Sequence, residues 1–237
     1  MRNFAIQMKR EIVLTKDGSK TIHLPDWNEN YHSHHGAVQE ALHVFIQSGL
    51  DFISSTRKEL SILEVGFGTG LNAILTYIYG VKNNLSIHYE GLEAYPVSPE
   101  EIELLAYDQL GGITENRSIY HDLHNANWNE QVALSDSFDL LKNQVFLADF
   151  DGTPNSVDLI YFDAFGPRVQ PELWEKPIFE KFFGVMKTNG VFVTYCAKGQ
   201  VRRDLIAAGF QVEKIPGPPG KREMLRATKP VFEPLKR

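Results

Sequence analysis

Glu64, Gly66, Gly68 and Gly70 stand close together in Leu63-Glu-Val-Gly-Phe-Gly-Thr-Gly-Leu-Asn72, and their types and order describe a ligand site. Alternating glycines allow a tight turn and a close approach of backbone to a ligand, because no Cβ stands in the way. The spacing is G-x-G-x-G; the sixth position of a dinucleotide fingerprint falls on Leu71, which is not glycine. A carboxylate at Glu64 would repel a pyrophosphate and suits a ligand with a positive end, such as the amino group and sulfonium of S-adenosylmethionine. Phe67 and Asn72 belong to the same turn and join the cofactor-binding set. Glu93 follows Gly70 by 23 residues and can accept hydrogen bonds from ribose hydroxyls. Asn143 is placed to bond an adenine amino group, with Asp149 as its rival.

A second constellation is Asp163-Ala-Phe-Gly-Pro167. An acid, an aromatic and a Gly-Pro turn can present one carboxylate and several carbonyls to a substrate amine. Primary aliphatic amines are mostly protonated at neutral pH, and a protonated amine has no lone pair for attack. Asp163 is therefore the candidate catalytic residue: it can hold the amine N–H and stabilise the cation formed as charge leaves the sulfonium. Phe165 and Trp174 are candidates to stack a base, whereas Phe179, Phe182 and Phe183 are spaced as a helix core. Tyr31-His-Ser-His-His35 invites a metal reading, but its histidines alternate faces in a loop without cysteine or carboxylate help, so no metal is expected.

These residues need strands to carry them. An apolar run from Ser61 to Val65 reads as the first strand, with a helix at 69–81 behind the glycine turn. Strands follow at 86–92, 137–142 (with 131–134 able to pair beside it), 157–162 and 190–195. Helices are read at 99–106, 176–186 and 200–208, a helical insert near 111–128, and a closing antiparallel pair at 210–215 and 223–228. Before them, 11–24 reads as a hairpin around Asp17-Gly18 and 36–50 as a helix ending at Gly49. The fold class is α/β, a mainly parallel sheet finished by a C-terminal antiparallel hairpin. Residues 1–50 form an N-terminal hairpin and helix extension, 51–237 the main domain, in one compact unit.

The chain has 237 residues, 43% hydrophobic and 23% charged, ordinary for a globular protein. Its apolar runs are too short to span a membrane, and its start has no apolar signal core, so a cytoplasmic protein is expected. The single cysteine, Cys196, fits a reducing compartment and reads as a small core residue. Net charge is −6, but from Lys198 onward ten Lys/Arg stand against four Asp/Glu, a balance of +6. Phosphate binding needs a local basic patch rather than a basic average. Arg202, Arg203, Lys221 and Arg222 are the candidate RNA contacts.

Three segments together resemble the tRNA 5-methylaminomethyl-2-thiouridine-forming methyltransferases. They are the glycine turn 63–72; Tyr161-Phe-Asp-Ala-Phe-Gly-Pro167 with Pro171-Glu-Leu-Trp174; and Val201-Arg-Arg-Asp-Leu with Ala208-Gly-Phe210 and Gly220-Lys-Arg-Glu-Met224. Tyr31-His-Ser…Gly36-Ala…Glu40…His43-Val-Phe45 is similar to the family's N-terminal segment. The resemblance implies a Rossmann-like methyltransferase fold and an S-adenosylmethionine-dependent enzyme that methylates the aminomethyl nitrogen of the wobble uridine in certain tRNAs. It carries cofactor binding onto Glu64, Gly66, Gly68, Gly70 and Glu93, and a substrate-amine role onto Asp163. The family's third strand often ends in Gly-Asp, where this chain has Lys142-Asn143. The flavin oxidoreductase half of the bifunctional enzyme is not expected here, so flavin is not, and partner enzymes would supply the aminomethyl intermediate. An aminopropyl transferase acting on polyamines, or an RNA-binding module without catalysis, are the other readings; the first needs neither a basic tail nor Phe165 and Trp174.

Overall fold

A computed structural model describes residues 8–231. Its eight-stranded sheet is built from β4 (Glu59–Val65), β5 (Ser86–Glu93), β6 (Gln131–Ser135), β7 (Phe138–Gln144), β8 (Val157–Phe162), β9 (Met186–Thr194), β10 (Gln211–Pro216) and β11 (Glu223–Thr228). The spatial order is β10-β11-β9-β8-β4-β5-β7-β6. β9, β8, β4, β5 and β7 run parallel; β6 is antiparallel to β7, and β11 is antiparallel to both of its neighbours. The chain leaves β4 towards β5 on one side and returns to β8 on the other, so the carboxyl ends of β4 and β8 flank the switch point where such sheets bind ligands.

Side-chain alternation divides the core in two. Along β8, Leu159 and Tyr161 join the cluster under the N-terminal helix and α3 (Leu71–Asn83), whereas Ile160 and Phe162 join the cluster with α6 (Lys176–Val185) and α7 (Gly199–Ala207). Both faces are covered, as the continuous apolar run of a parallel strand requires. Two shorter helices, α4 (Pro99–Leu105) and α5 (Arg117–Asn125), complete the β5–β6 connection, and α5 with two 3₁₀ turns forms the expected insert.

A three-stranded sheet of β1 (Glu11–Leu14), β2 (Lys20–Leu24) and β3 (Glu29–Asn30) precedes the main one. It leads into a continuous helix made of α1 (Ala37–Ala41), a π-helical stretch (Leu42–Asp51) and α2 (Phe52–Ser54). This helix does not stop at Gly49 as read from sequence. A Cβ there would meet Val193 at 3.1 Å and Leu159 and Tyr161 at 3.3 Å, so the glycine is where the helix presses on the sheet. The helix also crosses residue 50, and Ala37, Val44, Phe45 and Leu50 share a core with Leu159 and Val193. β9 begins at Met186 rather than 190, with an irregularity in its pairing to β8 between Val157 and Leu159.

Candidate active site

The carboxyl ends of β4, β5, β7, β8 and β9 open into one cavity of about 1250 Å³. The glycine turn forms its floor. Gly66 has φ +89°, and a Cβ on it would stand 2.8 Å from the backbone oxygen of Asp163, so the end of β4 can lie against the end of β8 only without a side chain. The backbone N–H groups of Gly66 and Phe67 both donate to the carbonyl of Leu92, at 3.0 Å each. Glu93 then fixes the turn from β5: its Oε2 accepts the Gly68 N–H at 2.9 Å and its Oε1 the Tyr95 N–H at 2.8 Å. Gly66, Phe67, Gly68, Asn72, Glu93 and Asp163 all line the cavity, so the structure brings together most of the residues singled out from sequence.

Glu64 does not join them on the wall. It is 0% exposed and projects to the same face of β4 as Leu60 and Ile62, into the space beneath α3. There it accepts from Asn72 Nδ2 at 2.8 Å and from Tyr89 Oη at 2.8 Å. Burial pushes its carboxyl up to about 8, against the pull of both donors. The same Asn72 Nδ2 also donates to Asp163 Oδ2 at 2.9 Å. Glu64 therefore reaches the cavity through Asn72, in place of the direct ligand contact read from sequence.

Asp163 is half-buried on the cavity wall. Burial first, then the Glu40 and Glu64 carboxylates, hold its carboxyl well above the usual range; Asn72 and Lys221 oppose them. Phe165, two residues on, lines the cavity and meets Trp27 and Tyr31 edge to face, with ring centroids 5.6 and 5.1 Å apart. Trp174 is 3% exposed and packs on Phe162, so it cannot stack a ligand base. Its Nε1 instead donates to the Phe165 carbonyl at 2.7 Å and holds that residue in place.

Neither Asn143 nor Asp149, the residues expected to contact adenine, lines the main cavity. Asn143 Nδ2 donates to Glu90 Oε1 at 2.6 Å, and both Asn143 and Asp149 line a separate cleft of about 490 Å³. The backbone turns after Gln144, and Val145, Phe146, Leu147 and Ala148 face the main cavity instead. Lys142, the other departure at this strand end, is buried and donates to the His124 carbonyl at 2.8 Å. Lys221 and Arg222 line the cavity; Arg202 and Arg203, on α7, do not.

Two contributors were missed. Glu40 of α1 lines the cavity, accepting the Ser33 N–H at 2.7 Å and Lys221 Nζ at 2.7 Å. Arg168 ties the loop after β8 to the N-terminal sheet through Glu29 at 2.8 Å and the Trp27 carbonyl at 2.7 Å. The signal for Glu40 lay in its place within the segment 31–45, but nothing local joined it to strand ends far along the chain.

The donor set fits S-adenosylmethionine. Phe67, Leu92, Phe146 and Leu147 give apolar walls for a flat base, Glu93 a carboxylate for hydroxyls, and the turn at 66–68 an open backbone. Asn72 Oδ1 is buried with no hydrogen-bond partner among the described residues, an acceptor left for a ligand N–H. No group of His, Cys, Asp and Glu that could hold a metal is found among them.

A family described as S-adenosyl-L-methionine-dependent methyltransferases matches residues 117–230. The tRNA 5-methylaminomethyl-2-thiouridine biosynthesis bifunctional protein MnmC of Leptospira borgpetersenii serovar Hardjo-bovis (strain JB197) is 32% identical over 217 residues, covering 84% of this chain and 32% of the relative. The MnmC of Burkholderia mallei (strain NCTC 10229) is 30% identical over 234 residues, covering 90% of this chain and 34% of the relative. The chain thus spans about a third of the length of the curated relatives it matches. The crystal structure of MNMC2 from Aquifex aeolicus is similar with a TM-score of 0.74 and 25% identity, over 96% of this chain and 74% of that one. Strand order, glycine turn and these similarities agree: the chain has the fold of the S-adenosyl-L-methionine-dependent methyltransferases and is similar to the MnmC proteins.

Proposed function

We propose that this methyltransferase acts on a primary amine, the aminomethyl nitrogen of 5-aminomethyl-2-thiouridine at the tRNA wobble position. The observation that carries the reading is Asp163, a half-buried carboxyl at the end of β8, opening on a cavity walled by Phe165 and Tyr31. A carboxyl among aromatic rings matches an amine carried on a flat nucleobase.

The cofactor supplies an electrophilic methyl group on a sulfonium. The amine must arrive as, or become, the neutral base, because only its lone pair can form the new N–C bond. Asp163 is suited to that proton. With its carboxyl held well above the ordinary range, it is a stronger base, once ionised, than an exposed aspartate. It can then hold the N–H and aim the lone pair. After transfer the nitrogen carries the positive charge, and the proton taken by Asp163 must leave to solvent before its carboxylate can pair with that cation. Asn72 fixes the rotamer of Asp163 from below, and the Trp174–Phe165 hydrogen bond fixes the aromatic wall.

Polynucleotide binding is assigned to the rim. Of the basic residues after Lys198, Lys214, Lys221 and Arg226 pair with Glu223, Glu40 and Glu213. Lys229 is buried on the Phe183 and Met186 carbonyls. Lys198, Arg202, Arg203 and Arg222 have no ion-pair partner among the described residues, and Lys198 and Arg222 border the cavity. These four are the proposed phosphate contacts. In this reading other enzymes make the aminomethyl-uridine. The test is incubation with labelled S-adenosylmethionine and tRNA from cells lacking the modification, followed by identification of the labelled nucleoside. Methylaminomethyl-uridine is the expected product; label in a polyamine, or none in tRNA, overturns the reading.

A further inference from the structure

We propose that the Glu40 carboxylate is the seat of the acceptor's primary ammonium group, and that Lys221 holds this seat with its own ammonium until the acceptor enters. The inference rests on the amine-acceptor reading above and adds a binding residue to it. Glu40 is 8% exposed and lines the cavity, with one oxygen fixed by the Ser33 N–H at 2.7 Å. Its other oxygen accepts Lys221 Nζ at 2.7 Å. That nitrogen stands 3.9 Å from the ring centroid of Tyr195, another cavity residue. A carboxylate and an aromatic face together form a recognition site for an alkylammonium. The lysine terminus and an aminomethyl group are the same chemical unit, a methylene bearing –NH₃⁺.

Two further observations place this seat beside the reacting group. The charges of Glu40 and Lys221 both act on Asp163, one raising and the other lowering its affinity for a proton. Glu40, Tyr195 and Lys221 also line the same cavity as Asp163. An ammonium has three N–H groups, and Glu40 and Asp163 offer acceptors for them.

Exchange needs only the lysine side chain to move. The backbone of its turn is pinned to the N-terminal segment: His43 Nε2 bonds the Pro216 carbonyl at 2.8 Å, and the His35 ring lies where a Cβ on Gly220 would be, 2.3 Å away. Lys221 has a flexible four-carbon stem and is 35% exposed at its side chain, so it can swing to solvent as the acceptor enters.

The experiment is steady-state methylation of hypomodified tRNA by Glu40→Gln and Lys221→Met, with thermal midpoint and cofactor affinity measured alongside. Glu40→Gln should raise KM for tRNA by roughly tenfold or more with cofactor affinity kept. Lys221→Met should lower KM severalfold without changing its salt dependence. A Glu40→Gln KM within roughly twofold of the parent overturns the proposal. So does a Lys221→Met enzyme with raised KM and a log–log salt slope shallower by about 0.9, which would make Lys221 a phosphate ligand. If the parent methylates no tRNA, the amine-on-tRNA reading fails, and propylammonium chloride tests the seat by itself. Binding by Lys221→Met that is lost in the Glu40→Gln/Lys221→Met double variant supports the seat, and equal binding by both overturns it.

Discussion

At the scale of single residues, one amide serves two carboxyls. Asn72 Nδ2 bridges Glu64 and Asp163, so the acid facing the cavity is set by one that never reaches it. Asp163→Ala should leave cofactor affinity largely intact and cut turnover by about two orders of magnitude or more, as loss of a general base does. Unchanged turnover in single-turnover assays would remove Asp163 from the chemistry. Glu64 gives a pH signature. Its folded pKa is raised to about 8, so the stability it lends is fully present below its ordinary value of 4.5 and is lost as pH rises through about 8. Glu64→Gln should flatten the alkaline fall of the thermal midpoint; parallel curves for the two proteins would refute this. His32 works in the other direction: buried and held down to about 4, it removes stability as pH falls from 6.5 towards that value. Types and spacing were enough to bring out Gly66, Glu93 and Asp163, which line one cavity. The direction each side chain takes was not legible, because the alternation that turns Glu64 under α3 depends on which face α3 covers.

Elements were read best where one signal dominates. Buried parallel strands are continuous apolar runs between turn residues, and 157–162 came out with the bounds seen in the structure, as did the antiparallel strand 223–228. Gly49 shows how the reading goes astray: a glycine near the end of an amphipathic helix has the local mark of a terminus, whereas here it touches three sheet side chains. The same lack of long-range information hid the exchange of Asn143 for the 145–148 segment, since the turn after Gln144 redirects the chain into the cavity. Gly66 tests the element scale directly. Alanine there combines a φ of +89° with a Cβ 2.8 Å from the Asp163 carbonyl, so Gly66→Ala should cost about 1–3 kcal/mol and lower turnover by shifting β8. Urea midpoints and rates falling together would bear this out; parental values in both would exclude it.

Across the whole molecule, opposite ends of the chain meet over the strand ends. The segment 31–43 supplies Tyr31 and Glu40, the turn 216–222 supplies Lys221 and Arg222, and His43–Pro216 and Glu40–Lys221 join them. Composition showed the basic excess near the end of the chain but not its division into paired and unpaired charges, which requires partners far away in sequence. Reversal of Arg202, Arg203 and Arg222 to Glu should weaken tRNA binding and make its salt dependence shallower by about 0.9 for each phosphate no longer neutralised. Binding indifferent to the triple change would place the RNA elsewhere.

The junction of 31–43 with 216–222 also bears on the order in which the protein acquires its abilities during synthesis. The glycine turn, Glu93 and Asp163 are all made before residue 164, yet the wall bearing Lys221 comes from a hairpin made after every other described strand and helix. A ribosome-bound chain can therefore assemble the floor of the pocket while its acceptor side still stands open. The side of the pocket that carries Lys221 is thus the last to be closed, when β10 and β11 dock.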